Sequence, residues 1–235
     1  MIHESWDDNY TYYQQLADLL GSIAHSHSKV DIDEKTLLRW RDLMGIMREI
    51  DTEADDSGAK HSEVLSKLEN FEIFEDRYPH IAPNVIGQQT FDRLVSRTQK
   101  ILKLGEFVSK ATVSSRYIKL RTAEAINTAE VFRDGATEHV NSQDRFNNNF
   151  MPLLTTMAIT SCFIDSAHDL KDDYAEGKSE LQPLLSTRLV MATKALTMSN
   201  KIVPVVLHGD VFMQTIEAAK LQFQRKIPLD LSRRG

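Results

Sequence analysis

Cysteine occurs once in this chain of 235 residues, at Cys162, which excludes an internal disulfide and leaves stability to an apolar core. Proline and glycine are scarce as well, at 6 and 9 residues, and no Pro-, Gly- or Ser-rich linker divides the sequence. A single domain over residues 1–235 is the economical expectation, with only the tail 226–235 expected to be flexible. Strand-like alternation of β-branched residues is also missing. Few breakers and little period-two patterning predict an all-α protein.

Strong charge of one sign is lacking too. A net charge of −6 with no basic stripe excludes the usual footprint of a nucleic-acid partner. The N-terminal MIHESWDDNY does not read as a charged segment followed by an apolar one, so a cytoplasmic location is expected. The most apolar run, Met151 to Ile164, is interrupted by Pro152 and several hydroxyl residues and passes directly into Asp165. It falls short of the ~20 residues of a membrane span. It reads as a buried core helix, and no transmembrane segment is expected.

Hydrophobic periodicity supplies the helices. Tyr12, Leu16, Leu19, Leu20 and Ile23 recur at helical spacing from Tyr10 to about His27. Leu37, Leu38, Trp40, Leu43, Met44, Met47 and Ile50 mark a second helix, from about Asp33, that ends among acids. Shorter helices are predicted at about 61–74 and 89–108, separated by Tyr78-Pro-His-Ile-Ala-Pro-Asn84, whose two prolines forbid a continuous helix. Another periodic run covers about 112–133. Asn147-Asn-Asn149 and Pro152 open a long apolar helix that reaches at least Tyr174, with Gly177 as its stop. Helices at about 184–199 and 203–225 complete the expected set.

Two acidic clusters stand at the ends of the most apolar helices. In Arg48-Glu-Ile-Asp51-Thr-Glu-Ala-Asp55-Asp56, Asp51 and Asp55 share a helix face, roughly 6 Å from one another along the axis. In Asp165-Ser-Ala-His-Asp169-Leu-Lys-Asp-Asp173-Tyr, three carboxylates form an i, i+4, i+8 ladder. Like charges at that spacing cost a helix roughly 0.2–0.5 kcal/mol per pair, and carboxylates near a helix C-terminus also oppose the macrodipole. Hard divalent cations offset such a cost, and magnesium in particular takes a few carboxylates together with substrate phosphates. Arg48, one turn before Asp51, stands where a phosphate can be met. The plainer alternative for either cluster alone is a solvated acidic face.

Together the two clusters resemble the aspartate-rich motifs of squalene and phytoene synthases. In the first motif of that family an arginine precedes a D-x-x-x-D pair by three residues, as Arg48 precedes Asp51 and Asp55. Asp165, Asp169 and Asp173, followed by Glu176-Gly-Lys178 and Leu181-x-Pro183, resemble the second motif and its trailing basic residue. Asp165 departs from it, since Asn is common there, and remains an oxygen ligand. The separation of 114 residues from Asp51 to Asp165 also suits the family, and the resemblance covers about 35–180. It implies a class I terpenoid synthase-like helical bundle around a central cavity. In such a bundle Asp51, Asp55, Asp56, Asp165, Asp169 and Asp173 are expected to hold three magnesium ions (Mg2+) on a prenyl diphosphate, with Asp51, Asp55 and Asp169 as the catalytic ligands. Arg48, Arg121, Lys178 and Tyr174 are then expected at the diphosphate, and Phe163, Met157 and Tyr117 along the cavity.

Two further departures bear on the reaction. The tyrosine- and glycine-rich segment of true squalene and phytoene synthases is replaced by Ser115-Arg-Tyr117-Ile-Lys-Leu-Arg121-Thr-Ala-Glu124. Only 62 residues follow Asp173, which is short for a cavity holding a second prenyl chain. The resemblance therefore implies a terpene synthase (cyclase) that ionises one C15 or C20 prenyl diphosphate, ahead of a prenyltransferase that couples two. A non-catalytic helical interaction module is the alternative outside enzymology, and a homodimer is left open. Single residues have structural alternatives as well: Arg121 and Glu124 as an intrahelical ion pair, Lys178 as a complement to a helix dipole, Phe163 and Met157 as ordinary core.

Overall fold

The computed structural model describes residues 6–56, 66, 69–71, 76–136 and 140–206. Among them are six long helices: α1 Trp6–Ser28, α2 Glu34–Asp56, α3 Gln88–Ser109, α4 Ser114–Ala136, α5 Met151–Ala175 and α6 Leu185–Val206. No strand occurs among the described residues, and extended backbone pairs in one isolated antiparallel bridge, Ile32 with Val140. The all-α expectation holds.

Local chemistry sets where the helices stop. After α1, Lys29 takes the left-handed region at φ 54°; its N–H bonds to the His25 carbonyl and that of Val30 to the Ala24 carbonyl. Asp33 then caps α2, its side chain accepting the Thr36 N–H at 2.8 Å. Pro79 and Pro83 each open a single helical turn, Pro79–Ile81 and Pro83–Ile86, where a missing N–H costs nothing. At the end of α5, Gly177 at φ 76° bonds to the Tyr174 carbonyl and Lys178 to that of Asp173, a Schellman closure at the predicted stop.

One expectation is corrected. The helices predicted at 184–199 and 203–225 are one helix as far as Val206, because no glycine or proline stands between Ser199 and Val203. The remainder of the second, most of the helix predicted at 61–74 and the tail 226–235 lie outside the described residues. Pro152 stands in the first turn of α5, where it was expected to open the apolar helix. It follows a turn of π-helix, Phe146–Phe150, in which the Met151 N–H bonds five residues back to the Phe146 carbonyl. That shift of register accommodates a residue with no N–H of its own. Helix is continuous over Gln143–Ala175, 33 residues, long and apolar enough by composition to cross a membrane, and 44% of its most apolar window is buried. It packs between α4 and α6.

The helices pair as hairpins, α1 with α2, α3 with α4 and α5 with α6, and α4 is the common element, touching α2, α3, α5 and α6. Trp40 locks three of them together. It is fully buried, donates its Nε1–H to the Phe132 carbonyl at 2.9 Å, lies edge-on to the Phe132 ring and stacks on Phe150 with centroids 6.0 Å apart. The larger core, with Trp40, Ile50, Phe91, Phe132 and Phe150, surrounds this contact; a smaller one, with Tyr117, Phe163, Leu170 and Met191, lies toward the other end of α4.

Helix α2 also buries a charged pair that the apolar periodicity did not announce. Arg41 and Asp42 side chains are 4% and 0% exposed, with Arg41 Nε and Nη2 donating to Asp42 Oδ1 at 2.8 and 2.6 Å. The second Asp42 oxygen accepts the His80 backbone N–H at 2.9 Å, which fastens the Tyr78–Asn84 turn to α2. Beside it Gly45 lies under the Tyr78 ring, where a Cβ would stand 2.5 Å from Cε1. Gly45→Ala is expected to destabilise the fold by about 1–3 kcal/mol through overpacking. Gly105→Ala, with nothing nearer than Glu124 Oε1 at 3.8 Å, is expected to stabilise it by roughly 0.5–1 kcal/mol through helix propensity. Urea midpoints of the two variants, moving in opposite directions, check both.

Candidate functional site

The N-terminal half of α4 meets the C-terminal half of α5 through a polar cluster set in an apolar contact. Helical spacing puts Tyr117, Arg121 and Glu124 on one face of α4 and Cys162, Asp165, Ser166, Asp169 and Asp173 on one face of α5. Arg121 Nε donates to Ser166 Oγ at 3.2 Å and Nη1 to Glu124 Oε2 at 2.8 Å, while Nη2 stands 3.8 Å from Asp165 Oδ2. Ser166 donates in turn to the Cys162 carbonyl at 2.8 Å and is hydrogen-bonded to Tyr117.

The electrostatics of the cluster follow from its burial. Desolvation works against the charge on Arg121, but Glu124 first, then Cys162 and Tyr117, outweigh it and hold the guanidinium well above its ordinary range. It is a permanent cation. Burial raises the Tyr117 hydroxyl, against smaller opposing effects of Arg121 and Ser166, so the phenol stays protonated at neutral pH.

Along the ladder, Asp165 and Asp169 side chains are 45% and 38% exposed, and the Asp169 carboxylate meets His168 Nδ1. The Asp173 carboxyl is pushed up by burial and then by the negative charge of Asp169, which together outweigh Arg121 and Lys178. Lys178 Nζ lies 3.1 Å from Glu176, and Tyr174 is exposed. Hard oxygen donors one turn apart, whose repulsion a cation relieves, fit magnesium in kind. In number they fall short: among the described residues no three His, Cys, Asp or Glu side chains converge as a cation site. The side chains of Asp51, Asp55 and Asp56 lie outside the described ones.

Helix α2 and the segment before it run antiparallel to α4 and the segment after it. Asp31 and Asn141 exchange two hydrogen bonds, at 3.0 and 2.6 Å, Ile32 pairs with Val140, and Trp40 bonds to Phe132. Asp51 stands 11 residues beyond Trp40, near the C-terminal end of α2. Arg48, one turn earlier on α2, is exposed. Both acid-bearing helices pack on α4.

Tyr117 and Phe163, expected along a cavity, are 4% and 0% exposed and belong to the smaller core; Met157 packs against the larger. Ser166, which receives Arg121, was not found from the sequence, where it is one hydroxyl among several in an apolar run. Its role appears only once α4 docks on α5. No family model matches the chain, and no curated protein or solved structure is significantly similar to it.

The raised Asp173 gives a pH test. A carboxyl that binds its proton more tightly in the folded state than in the unfolded one favours folding at low pH. That advantage is complete below the ordinary value of 3.8 and is lost as pH rises through the raised folded value. Asp173→Asn, which fixes the neutral form and removes one i, i+4 repulsion of roughly 0.2–0.5 kcal/mol, is expected to raise Tm by about 1–2 °C at neutral pH. Thermal melts at neutral pH and below 3.8 should show the gain in the first and none in the second.

Proposed function

We propose that this chain is a cytoplasmic, magnesium-dependent class I terpene synthase, a cyclase that ionises one C15 or C20 prenyl diphosphate and releases pyrophosphate and a terpene. The supporting observation is the setting of Arg121. A permanent guanidinium cation stands between Tyr117 and Asp165, on the face of α4 that meets the acid-bearing part of α5.

In this reading the bond between the allylic carbon and the diphosphate oxygen breaks heterolytically, and the electron pair leaves with the pyrophosphate. The chain must hold that leaving charge. Arg121 offers a planar fork of N–H donors from a desolvated position, where such contacts count for more than in water. Tyr117, kept protonated, is a neutral donor beside it, and Arg48 and Lys178 are the cations proposed at the flanks. Asp51, Asp55, Asp56, Asp165, Asp169 and Asp173 would hold magnesium, which would supply further positive charge to the leaving group. Phe163 and Met157, on the turns of α5 before Asp165, would keep water from the allylic cation.

A non-catalytic helical module is the competing reading, favoured by the lack of a three-donor convergence among the described residues. Magnesium with inorganic pyrophosphate separates the two. If the site is built as proposed, ligand at about a hundredfold above its Kd should raise Tm by roughly 5–10 °C, and Asp169→Ala should abolish the shift. Incubation with geranyl, farnesyl and geranylgeranyl diphosphates should then yield a terpene hydrocarbon or alcohol. Turnover should fall by about a hundredfold or more in Asp169→Ala and in Asp51→Ala. An unshifted Tm together with intact substrates would leave the interaction module standing.

A further inference from the structure

Ser166 is 2% exposed where α5 meets α4, a place that alanine would fill with a higher helix propensity. What serine adds there is a hydroxyl, one proton and two lone pairs. The proton goes to the Cys162 carbonyl at 2.8 Å, the same bond to the residue four back that Thr160 makes to Thr156 earlier on α5. Ser166 differs in what its oxygen does across the helix contact. It accepts the Arg121 Nε–H at 3.2 Å and is hydrogen-bonded to Tyr117.

A guanidinium is a rigid plane at the end of a long side chain, so one contact leaves it free to swing and two contacts on different nitrogens fix it. Glu124, on α4 itself, holds Nη1 at 2.8 Å. Ser166, 45 residues away on the other helix, holds Nε. With both in place the third nitrogen has one direction left: Nη2 turns toward the ladder, 3.8 Å from Asp165 Oδ2, and the Arg121 side chain keeps 23% of its surface exposed. The Ser166 oxygen is itself tied to the Cys162 carbonyl, so the direction of the arginine follows the backbone of the helix that carries Asp165, Asp169 and Asp173.

We propose that Ser166 is a positioning residue: its hydroxyl holds the Arg121 Nε–H so that the Nη2 corner faces the anion the site receives. That anion is a diphosphate in the reading above, on which this inference rests. Ser166 acts through Arg121 alone and touches no reacting atom.

Arginine side-chain NMR of the ligand-free chain and calorimetric titration with inorganic pyrophosphate and magnesium test it. The Arg121 Nε–H signal, assigned by its absence from Arg121→Lys, should exchange with water about tenfold or more slowly than those of exposed arginines. In Ser166→Ala that exchange should rise to the level of exposed arginines, and the Kd for pyrophosphate should weaken about tenfold, with circular dichroism unchanged. Fast Nε–H exchange in the wild-type chain would overturn the proposal even if Ser166→Ala did not fold. Weakened binding in Ser166→Ala with Nε–H still protected would overturn it too, since the hydroxyl would then act by packing. Equal pyrophosphate affinity in the wild type and Ser166→Ala would overturn this inference and leave the synthase reading standing. A wild-type chain with a protected Nε–H and no affinity for pyrophosphate would overturn both.

Discussion

The hydrogen bond from the Trp40 indole to the Phe132 carbonyl fixes how α2 lies along α4, and the site depends on that registration. The same ring stacks on Phe150, the residue from which α5 departs. One buried side chain thereby joins three helices, and on α4 it does so 11 residues from Arg121, some 16 Å at a rise of about 1.5 Å per residue. Gly135 is part of the arrangement: a Cβ there would meet Leu43 at 2.9 Å, so the close approach of α2 to α4 requires its absence. The larger core is in this sense the gauge against which the polar cluster at Arg121 is positioned.

Arg41, which is buried, and Arg121, which is partly exposed, differ in how far their donors are used. Arg41 is closed: Asp42 takes two of its N–H groups, and His80 and Gln14 lie within 2.9 and 3.4 Å of others. Removing one partner of such a pair typically costs about 3–5 kcal/mol because a charge is left buried alone, which suits a residue that fastens a turn. Arg121 is bonded on two sides, to Ser166 and Glu124, while Nη2 meets Asp165 at 3.8 Å, beyond hydrogen-bond distance. A guanidinium arranged in that way keeps donor capacity in hand, and this sets it apart as a group able to receive an anion.

Much of the architecture was legible in the amino-acid order because it depends on local periodicity and on breakers. The spans of α3 and α4, the stop of α5 at Gly177 and the all-helical class follow from apolar spacing, two prolines and one glycine. The ladder Asp165–Asp169–Asp173 was legible for the same reason, since a spacing of four fixes a shared face. What was not legible depends on which helix touches which. The receiver Ser166, the buried Arg41–Asp42 pair, and the ion-pair group in which Arg97 of α3 meets Glu130 and Asp134 of α4 carry no periodic mark. Arg121 and Ser166, Arg97 and its two acids, and Asp42 and His80 stand 33 to 45 residues apart in sequence, and only docking reveals these contacts. The single α6 was missed because a polar Ser199-Asn200-Lys201 resembles a turn when nothing in it forbids helix.

The π turn at Phe146–Phe150 works as an angular index for everything beyond it. A straight α-helix advances about 100° per residue, so the one extra residue accommodated in that turn sets the compass bearing of the Asp165–Asp169–Asp173 row relative to the Phe150 ring held by Trp40. The three exposed asparagines Asn147, Asn148 and Asn149 occupy the turn. Losing one of them would restore ordinary α-geometry and swing the carboxylate row by roughly 100° away from Arg121, with every residue of the row still in place in the sequence. Chain length in that short polar run, more than the identity of any residue in it, decides which way the acidic face of α5 points.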